Sequence, residues 1–212
     1  MLLLGLAALS LTPAPLGAVT LPTNSGTGLY AEYYPTPDLT GSSKIRRTDR
    51  QVNFDWSTRS PDASLPPDSY SIRWYGTVEA PVTGDYTFAT LADDGVRLWV
   101  NGRQLISDWT VHSPTLRRAT PIRLTAGQRY SIKLEYYENT GGASAKLLWS
   151  YPGQAEQLIP QTRLYVPDPV DYIEMRRHTF GSEMTMSLSR IEHAHAIPAH
   201  VFQTRTLREI DA

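Results

Sequence analysis

Residues 70–78 read Tyr-Ser-Ile-Arg-Trp-Tyr-Gly-Thr-Val, and they show the pattern that decides the fold. Starting from Tyr70 and ending at Val78, every second residue is apolar or glycine, and the residues between them are mostly polar. Because strand side chains point alternately to opposite faces, this pattern predicts a half-buried β-strand. Residues 130–136 repeat the alternation, and no stretch of residues 28–166 has a convincing helical period.

Shorter strand candidates lie around these two, at residues 29–34, 85–91, 96–100, 104–107, 119–124 and 145–150. Between Val100 and Arg103, the pair Asn101-Gly102 tolerates positive φ at both central positions of a type I′ turn, which predicts a tight hairpin. Strands separated by turn residues, with few helices, are typical of an antiparallel β-sandwich or barrel. We therefore predict an all-β fold.

The composition excludes several classes of function. The chain of 212 residues has no Cys, which excludes a disulfide scaffold, a zinc–thiolate site, an iron–sulfur cluster and a thiol nucleophile. Its 20 basic and 21 acidic residues give a formal net charge of −1. Non-specific binding to nucleic acid needs a basic surface, so we expect no nucleic-acid partner.

The N-terminal residues do not belong to the β fold. Residues 1–11 form the apolar run MLLLGLAALSL, and small residues precede a cleavage position after Ala18. The run is too short to span a hydrocarbon core of about 30 Å. We expect a signal peptide over residues 1–18, a linker over 19–27, and a secreted, periplasmic or cell-surface protein without a transmembrane span in the mature chain. A lipid-facing anchor and a buried N-terminal element are the alternatives.

The composition changes again near Val166. Residues 28–166 contain all five Trp and eleven of the twelve Tyr, whereas residues 168–212 contain no Trp and four of the five His. The prolines at 167 and 169 mark a boundary, so residues 167–212 are either a C-terminal extension or a truncated second domain. In this tail, His193, His195 and His200 have a spacing that metal ligands use, although three histidines with Pro198 between them are more often an exposed loop.

Two segments resemble a known family. Residues 80–88, Ala-Pro-Val-Thr-Gly-Asp-Tyr-Thr-Phe, and residues 93–102, Asp-Asp-Gly-Val-Arg-Leu-Trp-Val-Asn-Gly, are similar to the protective-antigen fourteen-kilodalton (PA14) domain family. Supporting segments lie in matching order at residues 28–34, 54–56, 71–76, 108–109, 124–127, 135–139 and 147–149. The resemblance covers residues 28–166 and implies an all-β barrel or sandwich.

The resemblance also implies a calcium site that binds carbohydrate. In adhesins similar to this module, two aspartates joined by a cis peptide, one asparagine and two main-chain carbonyls hold Ca²⁺, and the ion contacts sugar hydroxyls. Asp93 and Asp94 match the aspartates, Asn139 matches the asparagine, and the carbonyls fall at Gly141 and Ala143. Calcium takes six to eight oxygen ligands at about 2.3–2.6 Å, which suits this set. Two carboxylates alone predict weak binding, with a Kd on the order of 10⁻⁴–10⁻³ M.

Both segments also have a purely structural interpretation. Asp-Asp-Gly between two strands is a good turn sequence, because aspartate bonds its own backbone and glycine supplies positive φ. Residues 139–142, Asn-Thr-Gly-Gly, are likewise typical of an ordinary hairpin tip.

Sugar binding also needs an aromatic platform, and Trp109 and His112 are the candidates. Both lie in a loop over residues 108–114, where an exposed indole could stack on a pyranose ring, although Trp109 could equally belong to the core. Trp74 and Trp149 occupy core positions of alternating strands. In the alternating pattern, Leu98 and Trp99 point to opposite faces of their strand, and the sequence does not decide which of these two faces is buried.

Residues 28–166 lack the common catalytic motifs, including G-x-S-x-G, the P-loop, H-E-x-x-H and dinucleotide fingerprints. The carboxylate pairs Asp93/Asp94 and Glu135/Glu138 are present, but nothing forces either pair to face across a bond at about 5–9.5 Å, as glycosidase carboxyls must. We predict an exported, non-catalytic, lectin-like module that binds cell-surface or environmental glycans with calcium. The alternatives are a structural or adhesive surface module that contacts proteins, and an accessory module of a glycosidase on another chain.

Overall fold

The structure is a computed structural model that describes residues 26–167. The predicted signal peptide, most of the predicted linker, and the tail with His193, His195 and His200 lie outside the described residues. A division of the chain into two units falls between Val166 and Pro167, and every described strand belongs to the first unit. Within the described part, no helix is long and apolar enough to cross a membrane.

The described part consists of β-strands and one short 3₁₀ helix. In chain order the elements are β1 (Leu29–Tyr34), β2 (Ile45–Asp49), β3 (Asn53–Ser57), β4 (Tyr70–Glu79), β5 (Gly84–Asp93), β6 (Val96–Val100), β7 (Arg103–Asp108), β8 (Thr115–Arg118), β9 (Ile122–Leu124), β10 (Arg129–Glu138), β11 (Ala143–Tyr151), β12 (Gln154–Leu158), the 3₁₀ helix (Gln161–Arg163) and β13 (Leu164–Tyr165).

These strands form two sheets, and all their pairings are antiparallel. The seven-stranded sheet has the order β2-β1-β4-β10-β6-β7, with β13 also paired to β4. The six-stranded sheet has the order β12-β11-β5-β8, with β3 paired to β11 and β9 paired to β5. The predicted fold class, an all-β antiparallel sandwich, is confirmed.

The core lies between the inner faces of the two sheets. Trp74 on β4 and Trp149 on β11 are fully buried there, as the alternation predicts. The Trp74 indole N–H donates a hydrogen bond to Oδ2 of Asp49 at 2.7 Å, and the Tyr33 hydroxyl donates to the same oxygen at 2.6 Å. Leu98 also faces inward, which places Trp99 on the outer face of the seven-stranded sheet. The buried Trp74 indole N–H and Tyr33 hydroxyl are therefore both satisfied by the Asp49 carboxylate.

The predicted hairpin is confirmed, and one predicted strand is wrong in part. Asn101 and Gly102 have φ values of 51° and 71°, so both adopt the left-handed conformation that a type I′ turn needs. Of the strand predicted over residues 119–124, only residues 122–124 form a strand, β9; Ala119 to Pro121 form a break between β9 and the preceding strand β8, which was not predicted. Pro121 has no N–H to donate, which favours an interruption of the ladder there.

The two ends of the described domain meet beside β4. The Gly28 N–H donates to the carbonyl oxygen of Leu164 at 3.0 Å. A Cβ at Gly76 would lie 2.2 Å from the carbonyl oxygen of Tyr165, so the close approach of β13 requires glycine there. Tyr70, at the other end of β4, is about 20 Å from Gly76 at roughly 3.4 Å per residue. The two ends of the described domain are therefore remote from the end of the sandwich at Tyr70.

Candidate functional site

Three loops and one turn meet at the Tyr70 end of the sandwich. The aspartate turn, residues 93–95, joins β5 to β6. The peptide bond between Asp93 and Asp94 is cis, as the resemblance implies. Asp94 is buried and Asp93 is partly exposed, so the two carboxylates occupy different environments.

Asp94 connects this turn to two of the loops. One carboxylate oxygen accepts a hydrogen bond from the main-chain N–H of His112 at 2.9 Å, in the tryptophan loop, residues 109–114. The other oxygen accepts from the main-chain N–H of Asn139 at 2.8 Å, in the asparagine loop, residues 139–142. The buried carboxylate thus bonds to two other segments rather than to its own turn, and it brings together residues that are distant in the sequence.

Asp93 keeps its carboxylate free of protein donors. Among the contacts within residues 26–167, no hydrogen bond or ion pair reaches this carboxylate. A Cβ on Gly142 would lie 3.0 Å from its Oδ2, so the asparagine loop passes directly beside it. Burial, followed by the nearby charge of Asp94, raises the pKa of Asp93. The site therefore holds one carboxylate that is available to a ligand.

Glu138 adds a further carboxyl group to this end of the domain. Its side chain is fully buried, and its Oε1 has no hydrogen-bond partner within the described residues. Burial, followed by the charge of Asp94, raises the pKa of Glu138 to about 8. The Tyr136 hydroxyl lies 2.6 Å from the carbonyl oxygen of Asp93 and 3.1 Å from Oε2 of Glu138. Since a hydroxyl carries one proton, protonated Glu138 can donate to Tyr136 while Tyr136 donates to Asp93.

The sequence reasoning missed a third loop, residues 58–69 between β3 and β4. The main-chain N–H of Ser69 donates to the carbonyl oxygen of Asn139 at 2.9 Å, and the Gly141 N–H donates to Oδ1 of Asp68 at 3.0 Å. Tyr70 and Glu138 are register partners on β4 and β10, which brings the two loops side by side. This proximity arises from strand pairing, so no local sequence signal reports it.

The charge at this end of the domain is not balanced by basic residues. Within residues 26–167, no Lys or Arg forms an ion pair with Asp68, Asp93, Asp94 or Glu138. Like charges that are close together and partly buried disfavour full ionisation, which agrees with the raised pKa values of Asp93 and Glu138. A bound cation would relieve this repulsion.

The donor atoms suit a hard cation. The two aspartates, the Asn139 amide and main-chain carbonyls offer only oxygen, which calcium prefers. Within the described range, no three His, Cys, Asp or Glu side chains are arranged to hold a metal ion, so a cation here would depend on Asn139 and carbonyl oxygens as well. Gly141 is exposed in the asparagine loop, and Ala143 is buried at the start of β11, next to Ser144, the register partner of Asp93. The residues present therefore fit the expected ion.

The tryptophan loop folds onto the outer face of the seven-stranded sheet. The ring centroids of Trp109 and Tyr137 are 4.7 Å apart, and the Arg97 guanidinium lies 3.9 Å from the Trp109 ring centroid. Trp109 is thus half-buried and outside the sandwich core. His112 is also half-buried, and its Nε2 lies 3.2 Å from Oδ2 of Asp108. The loop places both residues beside the aspartate turn, and their contact with a glycan stays a prediction.

Glu135 and Glu138 lie on opposite faces of β10. Glu135 is on the outer face, where Nε of Arg73 lies 2.8 Å from Oε1 and Nη2 of Arg97 lies 2.7 Å from Oε2. Glu138 lies on the inner face beside Tyr136. This pair does not face across a cleft as glycosidase carboxyls do.

Comparison with known proteins gives two kinds of relative. The chain is 44% identical over 159 residues to the anti-sigma-I factor RsgI3 of Acetivibrio thermocellus, a match that covers 75% of this chain and 24% of that protein. The solved structure of an anti-sigma factor domain-containing protein matches with a TM-score of 0.65 and 44% identity, over 68% of this chain and 49% of that chain. The chain thus spans about a quarter of the first relative and about half of the second.

A PA14 sugar-binding domain from an RTX adhesin has the same fold. It matches with a TM-score of 0.57 and 18% identity, over 66% of this chain and 99% of that chain. A second family model, terpene synthase family 2, C-terminal metal binding, matches residues 148–212. Its first part, up to Tyr165, overlaps the last four residues of β11 and all of β12 and β13 of the sandwich.

The PA14 domain model matches residues 25–163, which contain twelve of the thirteen strands. The sandwich, the aspartate turn and the asparagine loop all lie within that match. The chain belongs to the PA14 domain family.

Proposed function

We propose that the domain is a non-catalytic carbohydrate-binding module in which a calcium ion at the aspartate turn supports sugar binding. One observation carries the proposal: the Asp93 carboxylate has no protein donor within the described residues and faces the asparagine loop, at an acidic end that no Lys or Arg neutralises. A ligand there has to supply positive charge, and the surrounding donors are all oxygen.

Asp93, Asp94, Asn139 and the carbonyls of Gly141 and Ala143 are the residues that would hold the ion. Each carboxylate oxygen of Asp94 accepts one hydrogen bond, from the N–H of His112 or of Asn139, and has a further lone pair that can coordinate the ion. When bound, calcium supplies open coordination positions that sugar hydroxyls can occupy. The protein itself orients the loops around that position.

The placement of the site also supports a binding role. The aspartate turn lies at the Tyr70 end of the sandwich, whereas the two ends of the described domain meet beside Gly76. A module joined to other segments at one end presents the opposite end to its surroundings. This agrees with a secreted or cell-surface protein whose partner is a glycan, and the RTX adhesin domain of the same fold is a sugar-binding domain.

The related proteins support recognition rather than catalysis. The chain is similar to an anti-sigma factor and to the sugar-binding domain of an adhesin, and neither name is that of an enzyme. A structural or adhesive module without sugar binding is the second candidate, because the hydrogen bonds of Asp94 organise the loops without any ion. An accessory role beside a glycosidase on another chain would show as co-purification with that enzyme.

For residues 167–212 we propose a second domain rather than an extension of the sandwich. The terpene synthase family 2 match continues to residue 212, well beyond the last strand of the PA14 domain. Since β11 to β13 already belong to the sandwich, a segment of that second family would begin after Tyr165. Limited proteolysis of the full chain tests this proposal, because a separate domain predicts preferred cleavage between residues 166 and 170.

A glycan array tests the main proposal. The full chain is applied with about 10 mM calcium and again with a chelator, beside the variant Asp93→Asn, whose side chain breaks no protein hydrogen bond. We expect binding that disappears with chelator and with Asp93→Asn. Equal binding in chelator would overturn the role of calcium, and silence across a broad array would favour the structural alternative.

A further inference from the structure

We infer that Asp68 is a positioning residue of the candidate cation site, a role that rests on the proposed function. Its Oδ1 accepts a hydrogen bond from the Gly141 N–H at 3.0 Å. Gly141 belongs to the asparagine loop, which also carries the Asn139 amide. Asp68 therefore acts on the ion through the loop that would hold it.

Asp68 and Ser69 together fix both ends of the segment from Asn139 to Gly141. The carbonyl oxygen of Asn139 accepts from the Ser69 N–H at 2.9 Å, and the Ser69 hydroxyl lies 3.3 Å from the same oxygen. Ser69 has a φ of 58°, a left-handed conformation that directs these groups toward Asn139. Two consecutive residues of one loop thus hold the main chain of another.

The asparagine loop has few other restraints. Gly141 has a φ of 102° and nothing within 4 Å of its would-be Cβ position. Within residues 26–167, the Asn139 side chain makes a single long hydrogen bond, from Nδ2 to Oγ1 of Thr140 at 3.5 Å. Besides the Asp94 contact to the Asn139 N–H, the bonds from Asp68 and Ser69 are what hold the loop in register with the aspartate turn. Holding a ligand loop in its bound conformation raises affinity by lowering the ordering cost.

Asp68 also carries a negative charge toward the site, and its charge is one cause of the raised pKa of Glu138. The two contributions can be separated. Asparagine at position 68 keeps an oxygen that accepts from Gly141 and removes the charge, whereas alanine removes both. Positioning predicts that asparagine preserves most of the calcium affinity and that alanine does not.

The test is calcium titration of the full chain by calorimetry, below the melting transition of every variant. Wild type, Asp68→Ala, Asp68→Asn and Asp62→Ala are compared. Asp62 is a matched control, because it is an acidic residue of the same loop whose side chain accepts from Ser64 and does not contact the asparagine loop. We expect Kd to rise about tenfold in Asp68→Ala, and to stay within about threefold of wild type in Asp68→Asn and Asp62→Ala.

Each other outcome is decisive. A wild-type chain that does not bind calcium overturns the proposed function and this inference with it. Wild-type binding with an unchanged Kd in Asp68→Ala overturns the inference alone. An equal loss in Asp68→Asn and Asp68→Ala shows that charge, not position, is the contribution of Asp68, and this also contradicts the inference.

Discussion

The carboxylate of Asp94 accepts a hydrogen bond from the main-chain N–H of Asn139 at 2.8 Å, so a residue of the turn after β5 sets the start of the loop that follows β10. The two residues are 45 positions apart in the chain. They carry two of the oxygen donors expected to hold a calcium ion. Their direct contact makes the site a property of the folded sandwich and not of either loop alone.

Asp94→Asn should destabilise the domain in the absence of calcium. An amide has one acceptor oxygen, so its NH₂ group would face one of the two main-chain N–H donors that Asp94 now satisfies. We expect a loss of about 2–3 kcal/mol, measured by urea unfolding in chelator. The control is Asp55→Asn, whose exposed carboxylate accepts from Ser57 at 3.0 Å and should cost under about 0.5 kcal/mol. Equal effects of the two substitutions would contradict the buried double contact.

Glu135→Gln should be more destabilising than a surface change of the same kind. Glu135 is buried with Arg73, whose side chain is 6% exposed, and the substitution removes the carboxylate charge from this ion pair. We expect a loss of about 3 kcal/mol in the free energy of unfolding. Glu156→Gln is the matched control, because its partner Arg118 is 56% exposed and the loss should stay under about 1 kcal/mol. A larger effect at Glu156 would mean that the outer-face pairs are not buried as described.

The stability of the calcium-free protein should fall as pH rises toward 8. The pKa of Glu138 is raised to about 8, so the folded carboxyl retains a proton that the unfolded chain has already released. The contribution of Glu138 to the free energy of unfolding is therefore fully present below about pH 4.5 and is lost as pH rises through about 8. Melting temperature in chelator, measured from about pH 5.5 to 8.5, should decline in wild type and decline less in Glu138→Gln. Parallel pH profiles would show that Glu138 ionises normally.

Gly95→Ala should cost more than alanine at an open glycine. A Cβ at Gly95 would lie 2.1 Å from Cε1 of Tyr137 and 3.1 Å from the main-chain nitrogen of Thr110, so the buried tyrosine must move. We expect a loss of about 3 kcal/mol in denaturant unfolding. Gly102→Ala places a Cβ in open space at a φ of 71° and should cost only about 1 kcal/mol. The reverse order would contradict the packing of the tryptophan loop on β10.

The alternating strands could be predicted because their signal is local. β1 and β6 have the predicted bounds, and β4 and β10 extend the predicted ranges by one to three residues. β2 and β12 escaped prediction because they are edge strands with mostly polar residues, and β13 has only two residues, which a pattern search cannot detect. Their formation depends on pairing with a neighbour, which the period of one segment does not contain.

The candidate site, like the fold, could be predicted from the sequence only in part. Resemblance to the family pointed to Asp93, Asp94 and Asn139, and the structure places them together. The contribution of Asp68 depends on the register between β4 and β10, so the residues around position 68 give no sign of it. Trp109 could not be assigned from alternation, because its half-buried position results from packing on Tyr137 and Arg97 across two strands.

The most direct test is the melting temperature of the full chain in calcium, with Asp93→Asn beside it. At about 10 mM calcium and a Kd near about 1 mM, binding should stabilise wild type by about 1.4 kcal/mol, which corresponds to about 4 °C. In chelator, Asp93→Asn should melt at or slightly above the wild-type temperature, because the Asp93 carboxylate receives no hydrogen bond within the described residues and its loss removes the repulsion from Asp94. It should show no shift with calcium. An unshifted wild type, or an equal shift in Asp93→Asn, would contradict a calcium site at the aspartate turn.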